Sequence, residues 1–420
     1  MENTSSIESQ LPLSWSEKLF SKLVFSAFDS IETGHLTVLM AQQRHEFGQR
    51  GSELSCTITI VDSAMFKLFA LGGSTGAGEA YIEGYWRCSN LTALIEIFAQ
   101  NQAQLDAFER KFAFVTGFVN KLKHVKNKNS KHGSKKNIVA HYDIGNDLYS
   151  SFLSDEMLYS SAVYPTADST LEQAQQHKLK TICHQIDLQP NDTVIEIGTG
   201  WGAFAIYAAQ NFGCHVTTTT ISDEQYEYVS NKIRTLDLED KVTLLKKDYR
   251  DLEGRYDKLV SIEMIEAVGH DYLPSFFKKC DSLLKDDGAM LIQAITIACQ
   301  RYAHYLKQSD FIQQYIFPGG CLPSITELNK QICANTSMVV HNISDIGLHY
   351  ARTLNDWYMR FKQAWPQLDH NKFDQRFYRL WEFYLCYCEG AFKQRATSTI
   401  HLVARKPRYV SSRCNNTLSY

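Results

Sequence analysis

A doubly wound α/β sheet, preceded by a small α+β module, is the fold class this sequence predicts. Three observations predict it. The second half of the chain alternates short, nearly continuous apolar runs with segments of helical period. One of those runs, Val194-Ile195-Glu196-Ile197, opens into a glycine-rich bend, Gly198-Thr199-Gly200-Trp201-Gly202. The N-terminal part lacks this alternation and mixes helical segments with strand-like ones punctuated by glycine.

The 420 residues suffice for two domains. We divide them into an α+β accessory domain at 1–120, a basic linker at 121–140 and a catalytic domain at 141–410. In the first domain the pattern predicts a helix over Trp15–Ile31, strands at His35–Ala41, Leu54–Val61 and Glu79–Trp86, and a helix over Leu91–Gln100. Leu71-Gly72-Gly73 and Thr75-Gly76-Ala77-Gly78 read as turns. In the third region, strands are predicted at Thr193–Ile197, His215–Ile221, Val242–Asp248, Tyr256–Ile262, Ala289–Thr296, Met338–Ile346 and Ser398–Arg405, with helices between most of them. Nearly continuous apolar strands indicate a sheet covered on both faces, with ligand at the carboxyl ends of its strands.

Composition narrows the function. Hydrophobic residues are 44%, charged residues 21% and the net charge is -3, so no overall basicity points to nucleic acid. The polar start, Met1 to Leu13, is not a signal peptide, and no apolar run is long enough to span a bilayer. Eleven scattered cysteines without a CxxC favour reduced thiols in a cytosolic protein, and no metal site is expected. Lys121 to Lys136 carries seven lysines, two histidines and no acid. A solvated linker is the better reading of such a run, and attraction to anionic phospholipid is compatible with it.

The glycine bend is the sharpest local signal. Gly198 and Gly200 let the backbone approach a ligand, and the helix that follows supplies N–H donors. Acid-x-Gly-x-Gly, with Glu196 as the acid, is the usual pattern of S-adenosylmethionine enzymes. The next strand ends Thr218-Thr219-Thr220-Ile221-Ser222, without the acid that grips an NAD ribose. Thr220 and Gln225 are candidate cofactor contacts, and Tyr249 and Arg250 fall where adenine normally lies. Two carboxylates three residues apart, Glu263 and Glu266, follow the fourth strand at the mouth of this site.

Many segments together resemble the cyclopropane fatty acid synthase family, including the mycolic acid methyltransferases. They are His141 to Tyr149, Leu158 to Tyr164, the glycine bend, Thr220 to Gln225, Lys247 to Leu252, Glu263 to Gly269, Tyr315 to Ser324 and His349 to Trp357. The resemblance implies a Rossmann-like class I methyltransferase that adds the methyl carbon of S-adenosylmethionine to the double bond of an unsaturated acyl chain in a phospholipid. It implies bicarbonate as the proton acceptor, with Glu266 and Tyr350 around it and Ile295 offering a backbone group. Ser161 and Gln293 stand where the family usually has cysteine and histidine. Those departures leave open a methyl- or methylene-branched product, or a catalytically weak lipid-binding paralogue. Tyr159, Ser160, Glu196, Gly198, Gly200, Thr220, Gln225, Tyr249 and Arg250 match positions around the cofactor. A cytoplasmic enzyme, peripheral to the inner face of the membrane, is expected, and a homodimer is a further expectation from the family. The aromatic-rich stretch Tyr350 to Phe392 reads mostly as helical core, with some rings lining an acyl channel.

Overall fold

A computed structural model describes residues 14–106 and 145–411. The lysine-rich 121–136 stretch, the N-terminal thirteen residues and the His141–Ile144 start of the first family motif lie outside the described residues. The chain forms two compact units.

The first unit groups the N-terminal segment with Gln308–Gln314 and Trp365–Ala396. Its four-stranded sheet has the order β2-β1-β3-β4, from β1 (His35–Met40), β2 (Gln43–Gly48), β3 (Ser55–Ile60) and β4 (Trp86–Cys88). β1 and β3 run parallel, and the other two pairs are antiparallel. Helix Trp15–Phe28 starts in a capping box, in which Ser14 and Glu17 satisfy each other's backbone donors.

Two expectations for this unit are corrected. Glu79–Ile82, predicted as strand, is the last turn of a helix running Ala64–Ile82, and strand begins only at Trp86. The predicted turns at 71–73 and 75–78 lie inside that helix, where Gly73 alone leaves helical geometry (φ 55°, ψ −136°) and kinks it. Gly76 and Gly78 serve close packing, while Gly72 faces open space. A Cβ on Gly76 would meet Leu68 O at 1.9 Å, and one on Gly78 would meet Phe311 at 2.6 Å. Helix Gln375–Lys393, placed by its sequence position in the catalytic span, packs in this unit, where Thr92 Oγ1 donates to Glu389 Oε2 at 2.9 Å. The aromatic-rich stretch is thereby divided. Trp357 and Phe361 stay with the second unit, and Trp381 and Phe383 join the core of the first.

The second unit carries a seven-stranded sheet of order β10-β11-β9-β8-β5-β6-β7. Its strands are β5 (Thr193–Ile197), β6 (His215–Thr220), β7 (Val242–Lys246), β8 (Tyr256–Ile262), β9 (Leu284–Ile297), β10 (Val339–Asp345) and β11 (Thr397–Arg405). β5 through β9 pair in parallel, while β11 is antiparallel to both β9 and β10. Every strand predicted in this region is present, with ends shifted by at most a few residues. Helices Leu171–Gln185, Ala203–Phe212 and Asp223–Thr235 pack Leu179, Phe204 and Val229 on one face. Helices Leu273–Leu283 and Ile325–Asn335 pack Phe276 and Leu328 on the other. Strand order reverses between β5 and β8, so their carboxyl ends diverge and open the crevice in which such sheets bind ligands.

Candidate active site

Read across the sheet from β7 to β9, the strand ends present the candidate residues in one row. Beyond β7, Tyr249 packs edge-on against Phe276 (5.4 Å between ring centres), and the Arg250 guanidinium lies 5.4 Å from the Tyr249 ring. Asp248 fixes that guanidinium through Nε and Nη2, at 2.8 and 2.7 Å. At the end of β6, Thr220 Oγ1 donates to Gln225 Oε1 at 2.8 Å and accepts from Ser222 N. Gln225 opens the next helix, which Ser222 caps.

At β5 the bend is shaped by Thr199 N donating to Thr219 O at 2.9 Å and Gly202 N to Thr199 O at 2.8 Å. Gly198 and Gly200 have φ of 97° and 52°, which a side chain would strain. A Cβ on Gly200 would meet nothing within 4 Å, so the bend faces open space, as a cofactor cradle requires. A Cβ on Gly198 would meet Met264 Cγ at 3.2 Å, so the bend abuts the carboxylate segment. Glu196 is turned into the sheet. It is 2% exposed and accepts from Thr218 Oγ1 at 2.6 Å, and loss of water raises its pKa to about 8. Its carboxyl braces the strand end rather than facing the crevice.

Tyr159 is linked to the bend through a line of rings, and Ser160 follows it in the chain. Trp201 contacts Tyr149 at 5.1 Å, Tyr149 contacts Tyr159 at 5.2 Å and Tyr159 contacts Trp357 at 5.2 Å. Trp357 meets Tyr350 edge-on at 5.9 Å. The wall is electron-rich and close to dry, since Trp357 is fully buried.

The row ends at Glu263, just past β8. Its φ of 48° is left-handed, a costly conformation for a residue with a side chain. Its Oε1 accepts from Ser161 N at 2.9 Å and from Gln293 Nε2 at 2.7 Å, and its Oε2 accepts from Tyr350 OH at 2.9 Å. Ser161, Gln293 and Tyr350 are thus brought together as expected, around a residue that was not among the expected catalytic groups. The Ser161 hydroxyl takes no part and donates to Ala162 O at 3.0 Å. Behind Gln293, His401 Nε2 lies 3.0 Å from Gln293 Oε1. Gln293 and His401 are both fully buried, and burial pushes the imidazole down to about 3, so it is neutral. Its Nδ1 lies 2.9 Å from Gln185 Oε1, so the ring sits between two side-chain amides and holds the Gln293 amide in place behind Glu263.

Glu266 stands apart. Ile295 N, expected to serve an anion, donates to Glu266 Oε1 at 2.6 Å, and Glu266 Oε2 is enclosed without a hydrogen-bond partner. Two neighbouring carboxyls do not both ionise easily. Loss of water and the charge of Glu263 push Glu266 up to about 8. Glu263 is also raised by loss of water, but Ser161 N, the Lys178 charge, Gln293 and Tyr350 oppose that rise. Of the pair, Glu263 is the carboxyl that meets three donors, while Glu266 holds its proton at neutral pH.

Sequence reasoning missed Glu263 as the hub, and also Lys178 and His401. A signal for Glu263 was present, because a non-glycine acid directly after a strand that points at a glycine bend is unusual. Nothing local marked the other two. Among the described residues no group of three or more His, Cys, Asp or Glu side chains is arranged to hold a metal ion.

The strand order, the antiparallel last strand and the glycine cradle at the reversal point define a class I S-adenosylmethionine-dependent methyltransferase. Comparisons narrow this class. Residues 129–402 match the family model described as mycolic acid cyclopropane synthetase. The cyclopropane-fatty-acyl-phospholipid synthase of Escherichia coli K12 is 36% identical over 340 residues, covering 80% of this chain and 85% of that one. The tuberculostearic acid methyltransferase UfaA1 of Mycobacterium tuberculosis is 34% identical over 328 residues, 76% of each chain. The mycolic acid cyclopropane synthase CmaA1, solved with SAH and CTAB, superposes with a TM-score of 0.61 at 28% identity over 65% of this chain and 98% of that one. The chain belongs to the mycolic acid cyclopropane synthetase family, and its cofactor is S-adenosylmethionine.

Proposed function

We propose that this enzyme adds the methyl carbon of S-adenosylmethionine to the double bond of an unsaturated acyl chain in a membrane phospholipid and closes a cyclopropane ring. One observation carries the reading: the Glu263 carboxyl, gripped by three donors, at the end of an aromatic wall that starts at the glycine bend. The cofactor supplies a methyl carbon made electrophilic by a sulfonium. Gly198, Gly200, Thr220, Gln225, Tyr249, Arg250, Tyr159 and Ser160 hold it, with Glu196 bracing the strand beneath.

The alkene is a weak nucleophile, and its attack leaves a cation on the acyl chain. Tyr159, half-buried and backed by the buried Trp357 and Tyr350, offers a ring that stabilises positive charge and excludes the water that would quench it. Glu263 then accepts the proton that the cation loses. In this reading it stands in for bicarbonate, taking the Tyr350 hydroxyl that the resemblance assigns to that ion, while the Ile295 N–H goes to Glu266. A side chain fixed to the backbone thus does the work of a free anion. Protonated Glu266 adds no second negative charge and keeps the Ile295 N–H in place.

The substrate reading draws on the relatives. Those from E. coli and M. tuberculosis are named for fatty acyl and tuberculostearic substrates. Among the described residues no helix is long and apolar enough to cross a membrane. Contact with a bilayer is therefore proposed as peripheral, at the inner leaflet, and the enzyme as a homodimer like many of its family. A second reading, a methyl- or methylene-branched product, is favoured by Glu263 and Gln293 together, because a tethered base reaches fewer protons than a mobile one. The test is incubation with S-adenosylmethionine and vesicles of cis-unsaturated phospholipid, followed by mass spectrometry. A one-carbon gain that survives mild hydrogenation but opens under harsher reduction supports the ring. A one-carbon gain with a surviving double bond supports the branched product. No gain defeats both.

A further inference from the structure

Lys178, on helix Leu171–Gln185, is fully buried, at 0% exposure. Its Nζ donates to Ser160 Oγ at 2.7 Å, while Gln175 on the same helix donates Nε2 to Ser160 O at 3.0 Å. Among the described residues two other lysines are buried, Lys258 and Lys406, and each reaches an aspartate, at 3.8 and 2.8 Å. Lys178 is instead bonded directly to a neutral hydroxyl, with the Glu263 and Glu156 carboxyls acting on it only from beyond bonding distance. Burying an ammonium against a neutral partner is costly, and the cost falls if an anion arrives nearby.

The bond has a polarity. An ammonium has no lone pair, so Ser160 Oγ accepts from it, and the Ser160 O–H must point to a different acceptor. The cofactor has a single anionic group, the α-carboxylate of its amino-acid end. The order along the strand ends says which end comes here. Tyr249 and Arg250 take adenine beyond β7, Thr220 and Gln225 take ribose beyond β6, and the amino-acid end is left for the glycine bend and Tyr159–Ser160.

We propose that Lys178 is a positioning residue for the cofactor, presenting through Ser160 a hydroxyl proton and a buried positive charge to the α-carboxylate of S-adenosylmethionine. The inference rests on the reading of Ser160 as part of the cradle.

Burial draws the ammonium down to about 7, against the negative charges of Glu263 and Glu156. His401 on β11, which is neutral, feels the lysine charge, and His349 is a further neighbour of that imidazole. The charged lysine is the form that binds carboxylate. Affinity is therefore full below about pH 7 and is lost as pH rises above the value the bound complex reaches.

The test is calorimetric titration of wild type and Lys178→Met with two nucleosides. S-adenosylhomocysteine carries the carboxylate, and 5′-methylthioadenosine lacks the whole amino-acid end. We expect Lys178→Met to lose on the order of 30-fold in affinity for the first and less than about twofold for the second. Equal losses, or an unchanged affinity for S-adenosylhomocysteine, overturn the proposal. Should the variant not fold, the wild type answers alone. Its affinity for S-adenosylhomocysteine is expected to fall between about pH 6 and pH 9 while that for 5′-methylthioadenosine stays level, and parallel curves overturn the proposal. A wild type that binds neither nucleoside fails the cradle itself, a result distinct from either of these.

Discussion

The cofactor cradle and the reaction pocket share one sheet edge but are built in opposite ways. The cradle is local. Thr220–Gln225 and Asp248–Arg250 complete their contacts within a few residues, and the Gly198–Gly202 bend adds one tie to the adjacent strand, Thr199 N to Thr219 O. The pocket is assembled from afar. Ser161, Gln293 and Tyr350 lie 102, 30 and 87 residues from the Glu263 they hold. A site that recognises with backbone is written in short motifs. A site that must grip one buried carboxyl needs donors from several elements, because no single turn offers three that converge on it.

This contrast predicts that changes in the pocket alter turnover while changes in the cradle alter binding. The largest effect is expected for Glu263→Gln, which keeps the shape but accepts no proton. Turnover should fall roughly 10²- to 10⁴-fold with affinity for S-adenosylhomocysteine preserved, as read by single-turnover kinetics and calorimetry. A matching loss of affinity would blur the line between the two regions. Next comes Gly200→Val, which puts a branched side chain at φ 52° in the open space of the bend. Affinity for S-adenosylhomocysteine should drop on the order of tenfold or more, and saturating cofactor should restore most of the turnover.

The smallest effect is expected for Glu266→Gln. Cofactor binding should persist and turnover should fall modestly. The variant also has a pH signature. Glu266 is raised to about 8 in the folded chain, above its unfolded value, so its contribution to stability is present at low pH and is lost as pH rises through about 8. The amide does not titrate. The melting temperature of the variant relative to wild type should therefore climb between about pH 5 and pH 9. A constant difference would mean that Glu266 is not the proton holder of the pair.

The same contrast explains what could be read from the sequence. Most strands of the second unit were legible as short apolar runs bounded by turn residues, and β6 as a run of β-branched residues. The glycine bend was legible because positive φ demands glycine. The first unit was harder. Glu79–Trp86 has the alternation of a strand, yet Gly76 and Gly78 serve close packing within a helix. Gly76 accommodates Leu68 and Gly78 accommodates Phe311, a neighbour far off in sequence, so no local pattern separates those glycines from turn residues. Ser161, Gln293, Ile295 and Tyr350 were found only as positions matching a family. Their partners were not found, because the same donors serve a bound anion or a protein carboxylate equally well. Lys178 lies in an ordinary amphipathic helix, where nothing but the fold reveals that its charge is enclosed.

The central claim is that Glu263 replaces a free anion as the acceptor of the proton. It is tested most directly by measuring turnover on unsaturated phospholipid vesicles in buffer stripped of carbon dioxide, with bicarbonate then added back. The rate should be high at the start and unchanged on addition. A rate that is low in stripped buffer and rises to saturation with bicarbonate would contradict the account.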